Sequence, residues 1–307
     1  MKGQILKTLR QRSDYVSGQT LSAQLGISRV SIWKHIHGLR KDGYVIEASP
    51  KGYRLVSSPD LLLPYELPDL EQRIHYFPEI ESTMDAAREL AKKGAEEGTI
   101  VVAEAQNRGR GRLGRQWLSP EGGIYFTLIL RPRISPVYAP RINLMAAVAV
   151  AATIRKLFGL KAELKWPNDV LIAGKKVCGI LAEMDAEMDV VNFVNVGIGI
   201  NANNSVTRFE KTATSLKDAV GREISRKEFL SVLIMEIERR LPLLMKSNLL
   251  KEWKKISATL NKYVRIMSLG EEAMGQAIDI DATGALIVKG QDGPSRTVLV
   301  GDCIHLF

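Results

Sequence analysis

Apolar residues in the first forty positions recur at helical spacing and are interrupted by short polar turns. The pattern predicts a helix over 3–12, a short helix over 20–25, a turn at Gly26-Ile27, and a longer helix opening at Ser28, a residue type suited to an N-cap. Leu21, Leu25, Ile27, Ile32, Ile36 and Leu39 fall together as one apolar set, while Ser28, Arg29, Ser31, Lys34 and His35 face outward. Alternation then replaces the helical period, and 43–56 reads as a hairpin turning at Ser49-Pro50-Lys51-Gly52. This is the outline of a winged helix-turn-helix. Its later helix would enter a DNA major groove, with Ser28, Arg29, Ser31 and Lys34 as contacts and Lys51 at the wing tip.

Residues 57–69, with Pro59, Pro64 and Pro68 among leucines, read as a linker that partly packs. Beyond it the periods mix. A helix is expected over 82–93, with Ser82 and Asp85 as a capping pattern, followed by strands over 99–105 and 124–131 and a long helix over 139–158. Further strands are expected over 162–165, 170–172, 177–184 and 193–200, with turns at Ala173-Gly174 and around 185–189. A last amphipathic helix opens on the Ser225/Glu228 capping box and runs toward Met245. From about Thr259 only short strands remain, separated by turns at Gly270-Glu271, Thr283-Gly284 and Asp292-Gly293. The fold class is therefore α+β: a winged helix-turn-helix, a central mixed α/β domain, and a small C-terminal β-barrel of SH3-like size without an evident catalytic residue. The domains are expected at 1–60, 61–258 and 259–307.

Four segments carry possible chemistry. Residues 107–117 alternate arginine with glycine from Arg108 to Gly114 and end on Trp117. Glycines let a backbone approach a ligand, and guanidinium groups suit carboxylate and phosphate oxygens. Gly109, Gly111 and Gly114 also match a dinucleotide fingerprint, but Pro120 and two glycines follow where a helix is required, and no acid occurs between Gly122 and Ala162. In Lys165-Trp-Pro-Asn-Asp, Asn168 and Asp169 set an amide beside a carboxylate. They could read an adenine edge, hold Mg²⁺, or simply cap their own turn. In Gly174-Lys-Lys-Val-Cys-Gly, strict alternation would put Lys176 with Cys178 and Ile180 on one face, and Val177, Gly179 and Leu181 on the other. Lys176 would be partly buried and able to neutralise a phosphate. Gly197 and Gly199 lie within a strand, which marks a close approach by a ligand or another backbone.

The charge is uneven. Of a net +9 over 307 residues, 1–56 carry ten Lys/Arg against three acids, so polyanion binding belongs to that segment. The apolar run 144–154 is too short for a bilayer, and the opening residues lack a signal-peptide core, so a cytoplasmic protein without membrane contact is expected. Cys178 and Cys303 fit neither a metal spacing nor a disulfide framework and read as buried thiols.

Glu81-Ser-Thr, Gln106 with Gly109-Arg-Gly-Arg-Leu-Gly-Arg-Gln-Trp, Lys165-Trp-Pro-Asn-Asp, Gly174-Lys-Lys-Val-Cys-Gly-Ile-Leu-Ala-Glu and Gly197-Ile-Gly-Ile-Asn together resemble the biotin protein ligases. The resemblance is to the bifunctional kind that is also a biotin operon repressor, and it covers nearly the whole chain. It implies a central domain of the biotin/lipoate ligase type. It also implies two steps: biotin and ATP give biotinyl-5′-AMP and pyrophosphate, then a lysine of a biotin carboxyl carrier domain takes the biotinyl group. By this resemblance Arg112, Lys176 and Asp169 are catalytic. Ser82, Thr83, Gln106, Arg110, Arg112, Lys176, Gly179 and Gly197 bind biotin. Arg112, Arg115, Trp117, Asn168 and Lys176 bind ATP or the adenylate, and Asp169 is a Mg²⁺ contact. Operator DNA and a homodimer promoted by biotinyl-AMP are also implied. Leu113 and Gln116 stand where the family often has a basic residue, and Met84 stands where asparagine is common.

Overall fold

The computed structural model describes residues 1–206, 210–268, 271–290 and 293–306. Gly270 and Asp292, each half of an expected turn, lie outside the described residues. Residues Met1–Gln72 form one compact unit, and the chain from Arg73 onward forms another.

The first unit holds α1 (Lys2–Arg10), α2 (Gly18–Leu25), α3 (Arg29–Lys41) and the hairpin β1 (Val45–Ser49) and β2 (Gly52–Ser57). Ser17 and Ser28 cap α2 and α3 by accepting from the Thr20 and Ser31 amides. Ile5, Leu6, Leu9, Leu21, Ile32, Ile36 and Leu39 are buried together. The proline-leucine stretch is no free tether. Leu62, Leu63, Leu67 and Leu70 are buried, and the Glu66 carboxylate accepts from Arg10 at 2.7 Å and from the Tyr44 hydroxyl.

The second unit is built on a seven-stranded sheet. Its strands are β3 (Ile74–Ile80), β4 (Ile100–Gln106), β5 (Ile124–Leu130), β6 (Ala162–Lys165), β7 (Asp169–Ile172), β8 (Lys175–Glu187) and β9 (Val190–Ile200), in the order β3-β4-β5-β9-β8-β7-β6. Only β3 and β4 pair in parallel, joined by α4 (Thr83–Lys92). The sequence pattern missed β3 because Pro78 interrupts it; an edge position tolerates a residue that cannot donate to the ladder. α5 (Pro140–Phe158) is long and apolar enough to pass for a membrane span, but most of its residues are buried against the sheet and α7 (Arg226–Arg240). Two further helices, α6 (Leu216–Val220) and α8 (Ser247–Lys255), were not anticipated.

The C-terminal strands β10 (Tyr263–Ser268), β11 (Glu271–Ile280), β12 (Leu286–Lys289), β13 (Ser295–Val298) and β14 (Asp302–His305) form an antiparallel sheet ordered β13-β12-β11-β10-β14. It is fastened to the central domain by Trp166, whose amide donates to the Thr259 hydroxyl at 2.9 Å and whose indole donates to the Gly284 carbonyl at 3.1 Å. These ties bring β14 to the mouth of the central sheet.

Candidate active site

A cleft of about 330 Å³ opens above β8 and β9, within the range of small-molecule sites. Its floor is glycine. A Cβ on Gly199 would stand 2.3 Å from the Trp117 indole nitrogen, and one on Gly179 would stand 2.8 Å from the Trp117 ring. The missing side chains are what let the tryptophan lie on the strands. Gly197 serves a different neighbour, since a Cβ there would be 2.5 Å from the Met84 sulfur. Met84 therefore becomes a wall of the cleft, a role its chemistry did not announce.

At one end, Gln106 closes a hydrogen-bond chain. Its side-chain carbonyl accepts from the Thr83 amide (2.8 Å) and hydroxyl (3.0 Å), its amide donates to the Ser119 hydroxyl (2.9 Å), and Thr127 donates to Thr83 (2.9 Å). Ser82 does not cap α4 as its position suggested. Its backbone is extended, and its hydroxyl oxygen is buried without a protein partner. Such a buried polar atom without a partner is uncommon in a native fold, and this one is next in sequence to Thr83.

Positive charge gathers at the other end. Lys176 pairs with Asp169 at 2.7 Å and stands 5.2 Å from the Trp117 ring centroid. Strict alternation fails here. Val170 faces Cys178 and Leu171 faces Lys176, so Val177 is an extra residue in a bulge. The bulge reverses the parity, which is how Lys176 and Gly179 both line the cleft while Cys178 is fully buried.

The Arg/Gly loop crosses the opening. Arg112 donates to the Gly301 carbonyl at 3.0 Å, and burial draws its pKa below the ordinary value against the opposing pull of Asp302 and Asp169. Arg115 pairs with Asp302. Arg110 lines the cleft but commits its guanidinium to Asp85 at 2.8 Å and Glu183 at 2.7 Å. The donor of Asn168 is likewise taken, by the Ile180 carbonyl at 2.6 Å. The cleft thus brings together all the residues expected in the ligase site except Ser82, which lies just behind Thr83. It also enlists Asp302, Cys303 and Ile304 of β14, in a domain where no site residue was expected. Both thiols are free and buried, and burial raises the pKa of Cys303 to about 11. Among the described residues, no three His, Cys, Asp or Glu side chains cluster to hold a metal.

One titration belongs to the hinge of this arrangement. The Thr259 hydroxyl accepts from Trp166 and meets His305 Nε2 at 3.1 Å, so its own proton is best placed on a neutral imidazole. Burial, with Lys165 and Lys262 adding repulsion, lowers the His305 pKa to about 4. A depressed histidine pKa means the unfolded chain binds the proton first. Stability is therefore expected to fall as pH drops from about 6.5 toward 4. Urea unfolding of the wild type and of His305→Gln across that window checks it, the variant being expected to lose part of the slope.

A mixed sheet holding a glycine-floored, arginine-lidded cleft, in one chain with a helix-turn-helix, defines the class. It is an enzyme for a small anionic substrate joined to a nucleic-acid-binding module. The chain belongs to the biotin protein ligase family, on its bifunctional ligase/repressor branch. Residues 76–201 match the biotin/lipoate A/B protein ligase family, 2–54 an HTH domain, and 259–306 the biotin protein ligase C-terminal domain. The bifunctional ligase/repressor BirA of Bacillus subtilis is 39% identical over 92% of this chain and 91% of its own length. That of Escherichia coli is 32% identical over 97% and 95%. The biotin protein ligase of Aquifex aeolicus, solved with biotin and ATP, superposes with a TM-score of 0.66 at 28% identity, covering 76% of this chain and 98% of that one.

Proposed function

We propose that this protein is an ATP-dependent biotin protein ligase that forms biotinyl-5′-AMP, transfers biotin to a lysine of a biotin carboxyl carrier domain, and represses transcription at an operator in response to biotin. The observation that carries the ligase reading is the cleft's polarity. A polar chain of Thr83, Gln106 and Ser119 stands at one end, and Lys176 and Arg112 at the other. A ureido ring offers one acceptor and two donors and fits the first end, while a carboxylate and a phosphate fit the second. Biotin has the ureido ring and the carboxylate at opposite ends of one molecule, and ATP brings the phosphate. Lipoate has no ureido group to satisfy the first.

The chemistry follows from that placement. A biotin carboxylate oxygen attacks the α-phosphorus of ATP, the bond to the bridging oxygen breaks, and pyrophosphate leaves with its electron pair. Two anions must approach, so fixed positive charge at the reacting oxygens lowers the barrier. Lys176 holds those oxygens, Arg112 the carboxylate, and Arg115 the nucleotide side of the loop, with Trp117 against adenine. Asp169 would be the protein carboxylate to hold a Mg²⁺ ion, which commonly binds through only one or two carboxylates and would supply charge to offset the phosphates. Asn168 acts by fixing β8 under the nucleotide. In the second step a carrier lysine attacks the mixed anhydride and AMP leaves. The loop excludes water from that anhydride in the meantime.

In this reading 1–60 bind DNA, 61–258 carry the chemistry, and 259–307 supply Asp302 and Gly301 to hold the loop shut. The adenylate favours a homodimer by population shift, and work on operator DNA and a carboxylase carrier is cytoplasmic work. Arg112→Gly is expected to release biotinyl-AMP faster and to label lysines nonspecifically. An unchanged lifetime of the bound adenylate would remove Arg112 from its role. The function itself is tested by adding a carrier domain to enzyme loaded with labelled biotinyl-AMP. Single-site labelling supports it, and none refutes the transferase half.

A further inference from the structure

Resting on the DNA-binding reading, we infer that Val30, Trp33 and His37 are the residues of α3 that read DNA bases, and that they read thymine methyl groups. The assignment departs from the sequence expectation, which put the α3 contacts at Ser28, Arg29, Ser31 and Lys34. Ser28 Oγ accepts from the Ser31 amide and lies 3.0 Å from Ser31 Oγ, so the two hydroxyls are engaged with each other and with the helix start. The face that α3 offers outward is elsewhere. Ile32, Ile36 and Leu39 are buried, whereas Val30 is 64% and Trp33 56% exposed, and Lys34 and His37 are exposed beside them. Positions 30, 33, 34 and 37 recur at three- and four-residue spacing and so form a single stripe along the helix.

Its chemistry is unusual for a surface stripe. The Trp33 and His37 rings stack, with centroids 5.6 Å apart and planes within 14°. The stack braces the indole before any partner arrives, so little rotamer freedom is left to lose on binding. Val30 sits one turn earlier, and the three make a continuous apolar and aromatic ridge. The same helix carries the exposed cations Arg29, Lys34 and Lys41, and the hairpin tip between β1 and β2 carries the exposed Lys51. An apolar ridge on a helix that also carries lysine and arginine, in a segment with net charge +7, is complementary to one partner above others. Phosphates meet the cations, and the C5-methyl of thymine is the apolar group a major groove presents.

The experiment selects duplexes from a random pool with the full chain in biotin and ATP. It then compares the chosen duplex with one carrying deoxyuridine for thymine. Each methyl lost at a contacted step is expected to weaken wild-type binding about fourfold, the equivalent of ~0.8 kcal/mol for one buried carbon. Trp33→Ala and Val30→Ala are expected to bind the thymine duplex weakly and to be blind to the deoxyuridine change. Their salt slope and biotinyl transfer should match the wild type. Lys34→Ala and Lys51→Ala should instead lower the salt slope by about one each. Wild-type indifference to deoxyuridine, or full sequence preference in Trp33→Ala, would overturn the assignment while leaving DNA binding intact. Failure of the wild type to select any sequence would overturn the DNA-binding reading as well. Loss of carrier biotinylation in Trp33→Ala with DNA binding intact would show the ridge to be a protein-docking face and refute the inference.

Discussion

Replacing Lys176 with methionine is expected to lower biotin-dependent adenylation by about 10²- to 10³-fold, the usual cost of removing one preorganised charge from a developing anion. The fold should survive. Lys176 is one-third exposed and its partner Asp169 one-fifth, so their 2.7 Å pair contributes little to stability. Its value is positional. The bulge at Val177 turns the ammonium into the cleft, and the carboxylate of Asp169 holds it there. Lys176→Arg should not rescue, because a planar guanidinium in the space between Asp169 and the Trp117 ring donates in different directions. Initial rates of adenylate formation, read beside the melting temperature, decide the matter. A Lys176→Met variant with wild-type rates would place the catalytic charge elsewhere.

The second large effect is expected from a single methyl group. Gly199→Ala would set a Cβ 2.3 Å from Trp117 Nε1 and 2.6 Å from the neighbouring ring carbon. The strand is fixed between β5 and β8, so the tryptophan must leave. Overpacking of this kind costs about 1–3 kcal/mol, or roughly 5- to 150-fold in the closed loop's population. Retention of the adenylate should fall in that proportion. A double-mutant cycle separates this from general damage: if the alanine acts through the ring, Trp117→Ala/Gly199→Ala will be no worse than Trp117→Ala alone. Additive losses would mean that Gly199 serves the strand rather than the loop.

Much of this was legible in the chain because it is written locally. Ser28 and Ser225 do cap their helices, and the motif residues from Thr83 to Gly197 do converge, since each lies in a short segment whose turn chemistry is its own. What escaped depends on distant partners. The β8 bulge is a property of pairing with β7, and without it alternation assigns Lys176 and Gly179 to opposite faces. In the sequence Met84 stands out only as a residue where the family often has asparagine, and its place in the cleft wall becomes visible once Gly197 proves to be the hollow beneath it. Asp302 is an ordinary strand-end acid until Trp166, by anchoring to Thr259 and Gly284, brings β14 against the Arg/Gly loop. Ser82 misled in the opposite direction. A residue type that caps helices was kept from capping and left buried without a partner, outside the cleft's lining.

The most direct test of the central claim is exchange of labelled pyrophosphate into ATP with biotin, lipoate or octanoate as the only added acid. It requires neither carrier protein nor operator, and it reports formation and reversal of an acyl-adenylate. Exchange with biotin alone is the expected result. Biotin binding without exchange would contradict the account and leave a ligand-sensing DNA-binding protein, and exchange with lipoate would contradict the reading of the Thr83–Gln106–Ser119 end of the cleft.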